Sequence, residues 1–425
     1  MEGFVIEGGK PLSGSIRVQG AKNAALPILA ACVLAEGIFE IHDVPRLSDI
    51  EAMCQILEAL GAQVIRHQTS IRVNTRLINN YVIPDHLMSK IRSSIFLMGP
   101  LLARLKQVCI SHPGGCAIGK RPIDIHLNGL KRLGVQMTEK EGVIHCYASK
   151  LIGDEIVLDF PSVGATENIM MAAVLGEGTT VLKNAAREPE ISDLQDFLNK
   201  MGAQITGAGS PEIRIRGVRS LRPVSHTIIP DRIVAGTLAA AAGATGGEVL
   251  LENVIPSHLT SIILHLQRLG IEIEQGENSL RVRGPKRLRP IPAIATAPYP
   301  GFPTDMQPQM LVLLTQAEGI SMLTETIFES RLKHVDELRK MGADVTLDNN
   351  TVWVRGGKSL NGTSVSATDL RAGAALVIAG LVAQGTTHIT GAEHIDRGYE
   401  RFETVINKLG GIMERKTGFS SCSST

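Results

Sequence analysis

The sequence is poor in aromatic residues and has no excess of charge of either sign. Aromatics make up 3% of its 425 residues, so the core has to be built from Ala, Val, Ile, Leu and Met. There are 43 lysines and arginines against 42 aspartates and glutamates. This balance argues against a dedicated nucleic-acid binder, because such domains usually carry a strong basic excess. At this length we expect two or three compact units rather than one.

Features of membrane, secreted and disulfide-rich proteins are also missing. The Ala- and Gly-rich run at residues 233–247 falls short of the roughly 18 apolar residues that suggest a membrane span. Glu2 and Glu7 lie where a signal peptide would have a basic patch and a long apolar run. The 6 cysteines form no CxxC pair, so they do not suggest a disulfide framework. We therefore expect a cytoplasmic protein that binds no membrane.

Several sequence signatures of catalytic or cofactor sites are absent too. There is no GxxxxGK[ST] loop and no GxGxxG after a first strand, which lowers support for nucleotide-hydrolysing and dinucleotide-binding folds. His, Cys and carboxylate residues do not recur at the spacing of metal ligands, so we expect no metal site. No Ser-His-Asp spacing stands out either.

A short motif recurs along the chain at intervals of about 70 residues. It consists of Leu or Met, then Gly, one further residue and the start of an apolar strand. Its copies begin at Leu60, Leu133, Met201, Leu269, Met341 and Leu409. So regular a recurrence predicts six copies of one structural unit.

Each copy of the motif follows an amphipathic helix, as at residues 189–201. The Gly suits the C-terminal cap, where a left-handed residue lets the chain turn into a strand. Upstream lies a second helix that is apolar nearly all round, which indicates central burial. A helical solenoid is the alternative, but strands flank these helices, so we predict an α/β fold. We expect helices inside, sheets outside, two lobes of three copies, and an N-terminal strand that pairs within the last lobe.

The starts of the buried helices carry charges that ordinary capping does not explain. Ser, Thr, Asp and Asn are common N-caps. A cation at the same place opposes the helix dipole, and four such cations occur: Lys22, Arg92, Arg232 and Arg371. The simplest explanation for these four cations is that their side chains are solvated. A bound anion is the more specific one, and it predicts a cleft for substrates rich in phosphate and carboxylate.

The segment 111–130 is a second functional candidate. It contains several Gly and Pro residues ahead of a helix, and Cys116 lies in it close to Lys120 and Arg121. Neighbouring cations lower the pKa of a thiol, so Cys116 is a candidate reactive cysteine. His126 could act as a base, although one His near a loop more often binds or packs. Three other cysteines are better explained as small hydrophobic residues: Cys32, Cys54 and Cys109.

Eight segments together resemble the UDP-N-acetylglucosamine 1-carboxyvinyltransferase family, in the EPSP synthase-like superfamily. They are GAKNAALP, PGGCAIGKRPIDIHL, SVGATENIMMAAVL, NAAREPEI, IPDRIVAGT, FPTDMQPQ, TDLRAGAALV and HIDRGYE, and they span nearly the whole chain in the family's order. The resemblance implies an α/β fold of two lobes, each an inside-out α/β barrel, built from six βαβαββ-type repeats, three per lobe. It places residues 1–21 and 230–425 in one lobe and 22–229 in the other.

The resemblance also implies a reaction, the transfer of the enolpyruvyl group of phosphoenolpyruvate to the 3-hydroxyl of UDP-N-acetylglucosamine. Phosphate is released through a tetrahedral ketal, and no cofactor is needed. Such a transferase opens peptidoglycan synthesis, and hence serves cell wall biogenesis, cell shape and cell division, and it is the target of fosfomycin. One alternative is the sister enzyme 3-phosphoshikimate 1-carboxyvinyltransferase, which usually has Ser where Asn23 stands and lacks the cysteine loop. The other is a non-catalytic repeat scaffold that binds anionic partners. The sequence does not indicate an oligomeric state.

Site residues follow from the resemblance. Cys116 matches the proton donor that fosfomycin alkylates, and Asp305 matches a carboxylate suited to act as general base. The other catalytic candidates are Lys22, Arg397 and Asp369. Substrate-binding positions are Asn23, Arg92, Arg121, Pro122, Ile123, Asp124, Ile125, His126, Ser162, Val163, Gly164, Arg232, Ile327 and Arg371. Phe160 stands where some family members have Lys, so a direct diphosphate contact is not expected there.

Overall fold

The computed structural model describes residues 2–112, 114, 118–119 and 122–418, and these divide into two compact units. Unit 1 holds the described residues of 2–19, 118–119 and 230–418, and unit 2 holds those of 20–112, 114 and 122–229. From the sequence, the boundaries were expected after residues 21 and 229. In the structure they follow residues 19 and 229, and Ile118 and Gly119 belong to unit 1.

The helices of the described residues alternate with short strands. The α-helices are α1 Lys22–Ala31, α2 Ser48–Ala59, α3 Asp85–Met88, α4 Met98–Leu105, α5 Asp124–Arg132, α6 Val163–Ala173, α7 Pro189–Lys200, α8 Arg232–Ala244, α9 Thr260–Arg268, α10 Gln307–Gln316, α11 His334–Lys340, α12 Leu370–Val382, α13 Ala392–Ile395 and α14 Phe402–Lys408. Short 3₁₀ helices cover Cys32–Leu34, Arg92–Leu97, Pro256–Leu259 and Thr304–Met306.

The strands of unit 1 come from the two ends of the chain and from its second half. They are β1 Glu2–Glu7, β2 Ser13–Arg17, β14 Glu248–Glu252, β15 Glu272–Gln275, β16 Ser279–Arg283, β17 Ile294–Ala295, β18 Gly319–Thr324, β19 Val345–Asp348, β20 Thr351–Gly356, β21 Ser364–Ser366, β22 Thr386–Thr390 and β23 Ile412–Thr417. Those of unit 2 are β3 Ile38–His42, β4 Gln63–His67, β5 Ser70–Asn74, β6 Gln107–Ser111, β7 Gln136–Lys140, β8 Val143–Tyr147, β9 Glu155–Val157, β10 Thr179–Lys183, β11 Gln204–Thr206, β12 Glu212–Arg216 and β13 Ser225–Thr227.

The described strands form six sheets, three in each unit, around buried helices. Residues 155–216 show the repeat in full as β9-α6-β10-α7-β11-β12, with the sheet order β11-β12-β10-β9. The central strand β10 pairs parallel with β9 and antiparallel with β12. The helices α1, α4 and α6 of unit 2, and α8, α10 and α12 of unit 1, are buried along nearly their whole length. The predicted α/β fold, with helices inside and βαβαββ repeats, is confirmed.

Three of the sheets take a strand from elsewhere in the chain. The strand before α1, β2, pairs in parallel with β14, whereas β13 pairs in parallel with β3. The N-terminal strand β1 lies between β22 and β23 and completes the last sheet, as the sequence predicted. The chain thus passes from unit 1 to unit 2 after β2 and returns after β13, and residues 118–119, between β6 and α5, also belong to unit 1.

All six glycines of the recurring motif adopt positive φ, from 84° at Gly410 to 107° at Gly202. Each follows an amphipathic helix and leads into a strand, as the motif predicted. A left-handed residue is therefore required at these turns, where L side chains are strained.

No helix in the described part of the chain combines the length and apolarity needed to cross a membrane.

Candidate functional site

The predicted site residues fall into one set in each unit. Among the described residues, unit 2 carries Lys22, Asn23, Arg92, residues 122–126 and residues 162–164, and unit 1 carries Arg232, Asp305, Ile327, Asp369, Arg371 and Arg397. Cys116 and Arg121, two central candidates, lie outside the described residues. Each set is described within its own unit.

Lys22 is the first residue of α1 and is only 6% exposed. Its ammonium nitrogen lies 3.0 Å from the Oδ2 atom of Asp49, in the first turn of α2. The cation at this helix start is thus buried and paired, which rules out the solvated-charge explanation. Asn23 follows it on α1 and is half-buried.

Arg92 begins the 3₁₀ helix before α4 and is half-buried. It donates from Nη2 to the carbonyl of Pro122 at 3.4 Å, which links it to the start of α5. Ile123 is buried, whereas Asp124, the first residue of α5, is exposed, and Ile125 is half-buried. The Arg92 side chain therefore contacts the segment 122–126, which holds other predicted sugar-nucleotide positions.

His126 is buried and accepts a hydrogen bond at Nδ1 from the Asn168 amide, at 2.9 Å. Asn168 also donates to the Ile95 carbonyl and accepts from the Gly99 amide, so its orientation is fixed. With Nδ1 as acceptor, the proton of the neutral ring lies on Nε2. A Cβ at Gly164 would come within 3.0 Å of the His126 Cε1 atom. Close packing of this histidine requires the glycine.

Ser162 caps α6 by accepting a hydrogen bond from the Ala165 amide at 3.4 Å. Val163, the first residue of the helix, is half-buried. Phe160 precedes them with 41% of its surface exposed. Its ring carries no charge that could contact a diphosphate.

Glu167 is a buried carboxyl group that the sequence did not single out. It lies on α6, is fully buried, and neither carboxyl oxygen has a hydrogen-bond partner among the described residues. Burial, reinforced by the charges of Glu190 and Glu188, raises the pKa of Glu167 well above its usual value. These surroundings favour the protonated, neutral form of the group.

In unit 1, Asp305 lies between two arginines. Its Oδ1 atom is 2.7 Å from Arg331, and its Oδ2 atom accepts from Nε and Nη2 of Arg371 at 3.1 and 2.9 Å. Burial alone would raise the pKa of the Asp305 carboxyl, but the charges of Arg371 and Arg331 and their hydrogen bonds hold it well below its usual range. The ionised form of Asp305 is thus strongly favoured at neutral pH.

Arg371 is 2% exposed and also donates to the hydroxyl of Tyr399 at 3.3 Å. The same hydroxyl lies 3.0 Å from the Thr237 hydroxyl on α8, and Gln309 of α10 donates to Thr237 at 2.9 Å. Burial opposes the charge on Arg371, but Asp305 outweighs that effect and raises the guanidinium pKa. The cation is therefore held in one geometry by groups from three helices and a turn.

Asp369 and Asp231 both act as helix N-caps. Asp369 accepts from the amides of Arg371 and Ala372 on α12, and Asp231 caps α8 in the same way. Capping therefore accounts for part of the role of Asp369. Burial lowers the pKa of His334 to about 4, although the charge of Asp369 acts in the opposite direction, so this neighbour of Asp369 is neutral at pH 7.

Three further predicted positions of unit 1 lie in or next to turns and helix starts. Arg232, the first residue of α8, is 8% exposed, and its guanidinium carbon lies 5.5 Å from the centre of the Tyr299 ring. Ile327 is half-buried and donates its amide to Glu325 at 2.8 Å. Arg397 lies half-buried in the turn between α13 and α14.

The sequence missed the partners of the predicted cations. Asp49, Arg331 and Tyr399 contact candidate residues directly, yet Asp49 and Arg331 carried no signal of their own. Asp49 is 27 residues from Lys22 and Tyr399 is 28 from Arg371.

In the described part of the chain, no group of three or more His, Cys, Asp or Glu residues could hold a metal ion.

Comparisons with known proteins agree on one family. A family model described as EPSP synthase (3-phosphoshikimate 1-carboxyvinyltransferase) matches residues 6–406. Two relatives named UDP-N-acetylglucosamine 1-carboxyvinyltransferase 2 are each 52% identical to this chain. The one from Caldanaerobacter subterraneus subsp. tengcongensis matches 97% of this chain and 99% of its own length. The one from Carboxydothermus hydrogenoformans matches 98% of this chain and 99% of its own length.

Solved structures give the same result for the fold. The enolpyruvyl transferase NikO from Streptomyces tendae has a TM-score of 0.89 at 26% identity, covering 98% of this chain and 99% of its own. The EPSP synthase from Acinetobacter baumannii has a TM-score of 0.77 at 20% identity, covering 98% and 100%, and it is similar in fold alone. With a family match from residue 6 to residue 406, this chain belongs to the EPSP synthase (3-phosphoshikimate 1-carboxyvinyltransferase) family.

Proposed function

We propose that this chain is a UDP-N-acetylglucosamine 1-carboxyvinyltransferase. It transfers the enolpyruvyl group of phosphoenolpyruvate to the 3-hydroxyl of UDP-N-acetylglucosamine and releases phosphate, the first committed step of peptidoglycan synthesis. The observation that carries the proposal is 52% identity, over 97% of the chain, to an enzyme of that name. The substrates are small molecules, and the proposal includes no cofactor.

Buried cations at helix starts support this choice physically. Both substrates are multiply anionic, and Lys22, Arg232 and Arg371 are each less than a tenth exposed. Asp49 and Asp305 hold two of these cations in a fixed geometry. Charges that are oriented before the reaction stabilise developing negative charge without further reorganisation.

We assign Lys22, Arg121 and Arg397 to the phosphate and carboxylate of phosphoenolpyruvate, with Asn23 beside them. Cys116 protonates the enolpyruvyl double bond, while Asp369 and Arg371 line the reacting centre. The sugar nucleotide is assigned to Arg92, residues 122–126, residues 162–164, Arg232 and Ile327. The tight packing of Gly164 on His126 supports that part of the assignment, because it shapes the start of α6.

Asp305 is assigned to the attacking hydroxyl, with a constraint from its surroundings. A carboxylate whose pKa is held low by Arg371 and Arg331 is a weak base. For Asp305 to take a proton, substrate binding has to remove at least one of these arginine contacts. Otherwise it orients the hydroxyl by accepting a hydrogen bond.

A mixing experiment tests the proposal. The protein is incubated with phosphoenolpyruvate and either UDP-N-acetylglucosamine or shikimate 3-phosphate, and phosphate release is measured. Release with the sugar nucleotide alone is the expected result. Release with shikimate 3-phosphate would instead identify the sister enzyme, and release with neither would favour an anion-binding scaffold. Arg397→Met should abolish release, whereas Arg287→Met, at an exposed surface ion pair, should not.

Thiol labelling tests the role of Cys116. Cys32, Cys54, Cys109 and Cys146 are buried with raised pKa values, so they should not react in the native protein. In a Cys422→Ser background, native labelling therefore reports on Cys116. We expect fosfomycin to block it, faster with UDP-N-acetylglucosamine bound. Equal rates with and without the nucleotide would show that bound nucleotide does not change the reactivity of Cys116.

The described cysteines also bear on location. All four are free and buried, and none is paired in a disulfide. This pattern is typical of proteins from reducing compartments. We propose the cytoplasm, which cell fractionation would test.

A further inference from the structure

The turn that carries Arg397 is held by two side chains from distant parts of unit 1. This Arg397 turn comprises residues 396–400, between α13 and α14. Backbone hydrogen bonds tie its first part to α13, such as that from the Tyr399 amide to the Ile395 carbonyl at 3.1 Å. The Gly398 carbonyl and the Glu400 amide instead have partners outside the turn. The position of the Arg397 guanidinium therefore depends on what holds the residues on either side of it.

Gln19 holds the turn on its C-terminal side. Its side-chain amide donates to the Gly398 carbonyl at 3.3 Å and accepts from the Glu400 amide at 3.0 Å. The backbone carbonyl of Gln19 accepts a hydrogen bond from the backbone amide of Asp231 at 2.9 Å. One side chain thus satisfies two backbone groups of the turn, from a sequence distance of about 380 residues.

Arg415, on the last strand β23, holds the turn on its N-terminal side. Its two terminal nitrogens contact the two oxygens of Asp396 at 2.9 and 2.6 Å, a bidentate pair. Its guanidinium carbon lies 4.6 Å from the centre of the Phe4 ring, on the neighbouring strand β1. The bidentate geometry and the ring contact leave the Asp396 carboxylate little freedom.

We propose that Gln19 and Arg415 are positioning residues that aim Arg397 at the anionic groups of phosphoenolpyruvate. This inference rests on the proposed function, since it takes Arg397 as a ligand of that substrate. Neither residue contacts substrate in this proposal. Each acts through the turn, from opposite sides of Arg397.

Gln19→Met and Arg415→Met test the proposal, because each keeps much of the side-chain volume and removes the polar contacts. Misplacing a binding group by about 1 Å can cost up to a hundredfold. We expect the KM for phosphoenolpyruvate to rise about tenfold, with the KM for the sugar nucleotide and kcat nearly unchanged. Arg415→Lys should restore part of the loss, because it keeps one charged donor.

Two matched controls separate positioning from general destabilisation. Gln275→Met changes an exposed residue at the end of β15, and Arg283→Met breaks a surface ion pair with Glu248 in the same unit. Both should leave the KM for phosphoenolpyruvate unchanged. An equal rise in the KM of both substrates in Gln19→Met, or no rise at all, would overturn the proposal.

A double-mutant cycle with Arg397→Met is the decisive measurement. Phosphoenolpyruvate binding is followed by calorimetry, so turnover is not needed. If Gln19 acts only through Arg397, Gln19→Met has no further effect on affinity once Arg397 is replaced.

Full additivity of the two substitutions refutes the inference even if the enzyme is active. Coupling in a protein that binds phosphoenolpyruvate but transfers it to neither acceptor would support the inference and reject the proposed function. A wild type that does not bind phosphoenolpyruvate overturns both.

Discussion

At the scale of single residues, two carboxyl groups of this protein respond to burial in opposite ways. Burial and two acidic neighbours raise the pKa of Glu167, whereas two arginines hold the pKa of Asp305 far below its usual value. The difference comes from the neighbours rather than from the carboxyl group itself. It leads to opposite pH dependences of stability.

Replacing Glu167 by Gln should stabilise the protein increasingly as pH rises. Above the usual value near 4.5, the unfolded wild type loses a proton that the native state retains, so wild-type stability falls by up to about 1.4 kcal/mol per pH unit. The Glu167→Gln variant lacks this effect. Urea unfolding of both proteins between pH 5 and 8 measures the difference. A difference that stays constant over this range would show that Glu167 is ionised in the fold.

Replacing Asp305 by Asn should have the opposite pH dependence. The native carboxylate has a depressed pKa, so its stabilising effect is complete above the unfolded value near 3.8 and is lost as pH falls through the lower native value. Leaving two buried arginines without their shared carboxylate should cost about 3 kcal/mol at pH 7. The cost should shrink below pH 4. Unfolding at pH 7 and at pH 3 provides the comparison, and an equal cost at both would argue against the paired geometry.

At the scale of elements, the same helix-to-strand turn is built six times with glycine. Gly61 and Gly202 have nearly the same φ, 104° and 107°. Their surroundings differ, because a Cβ at Gly61 would lie 2.6 Å from the Leu77 carbonyl oxygen, whereas one at Gly202 would meet nothing within 4 Å. The two positions therefore separate backbone strain from steric clash.

Gly202→Ala should lower the free energy of unfolding by about 1 kcal/mol, the usual cost of a left-handed L residue. Gly61→Ala should cost clearly more, because the Leu77 backbone has to move as well. Denaturant unfolding of the two variants makes the comparison. Equal losses would mean that the chain around Leu77 yields without cost.

At the scale of the whole molecule, the chain ends meet in one sheet. The first strand, β1, lies between β22 and β23, so unit 1 cannot complete its last sheet without the N-terminal residues. The described residues of unit 2 form one stretch of chain, from 20 to 229, interrupted by Ile118 and Gly119 of unit 1. The two units should therefore respond separately to core substitutions.

Phe4→Ala and Phe39→Ala form a matched pair for this prediction. Both rings are fully buried, Phe4 in unit 1 and Phe39 in unit 2 beside Phe197. Each substitution should cost about 3 to 5 kcal/mol in its own unit. Hydrogen exchange should lose protection in α12 for Phe4→Ala and in α7 for Phe39→Ala. If both variants loosened both helices equally, the two units would have to unfold as one.

The sequence by itself determined the repeat, its turns and its buried helices. Periodic Leu-Gly motifs, positive-φ glycines and nearly all-apolar helices are local properties, and local sterics and hydrophobicity specify them. The helix starts could likewise be found, and with them Lys22, Arg232 and Arg371, because a cation at that place conflicts with the helix dipole. Cys116 was found as a candidate reactive thiol from its neighbours Lys120 and Arg121, but its role as proton donor and the roles of Asp305 and Arg397 came only from resemblance to a family.

Only the tertiary structure decided which strands complete which sheets and which groups neutralise the cations. Nothing near Arg371 in the sequence indicates that Asp305, 66 residues away, binds it, or that Gln19 holds the turn at Glu400. Side-chain partners are chosen by the packing of helices and strands distant in sequence, and one chain pattern is compatible with many such pairings. The pKa of Asp305 is set by its two arginines and that of Glu167 by burial, so both shifts belong to the folded molecule.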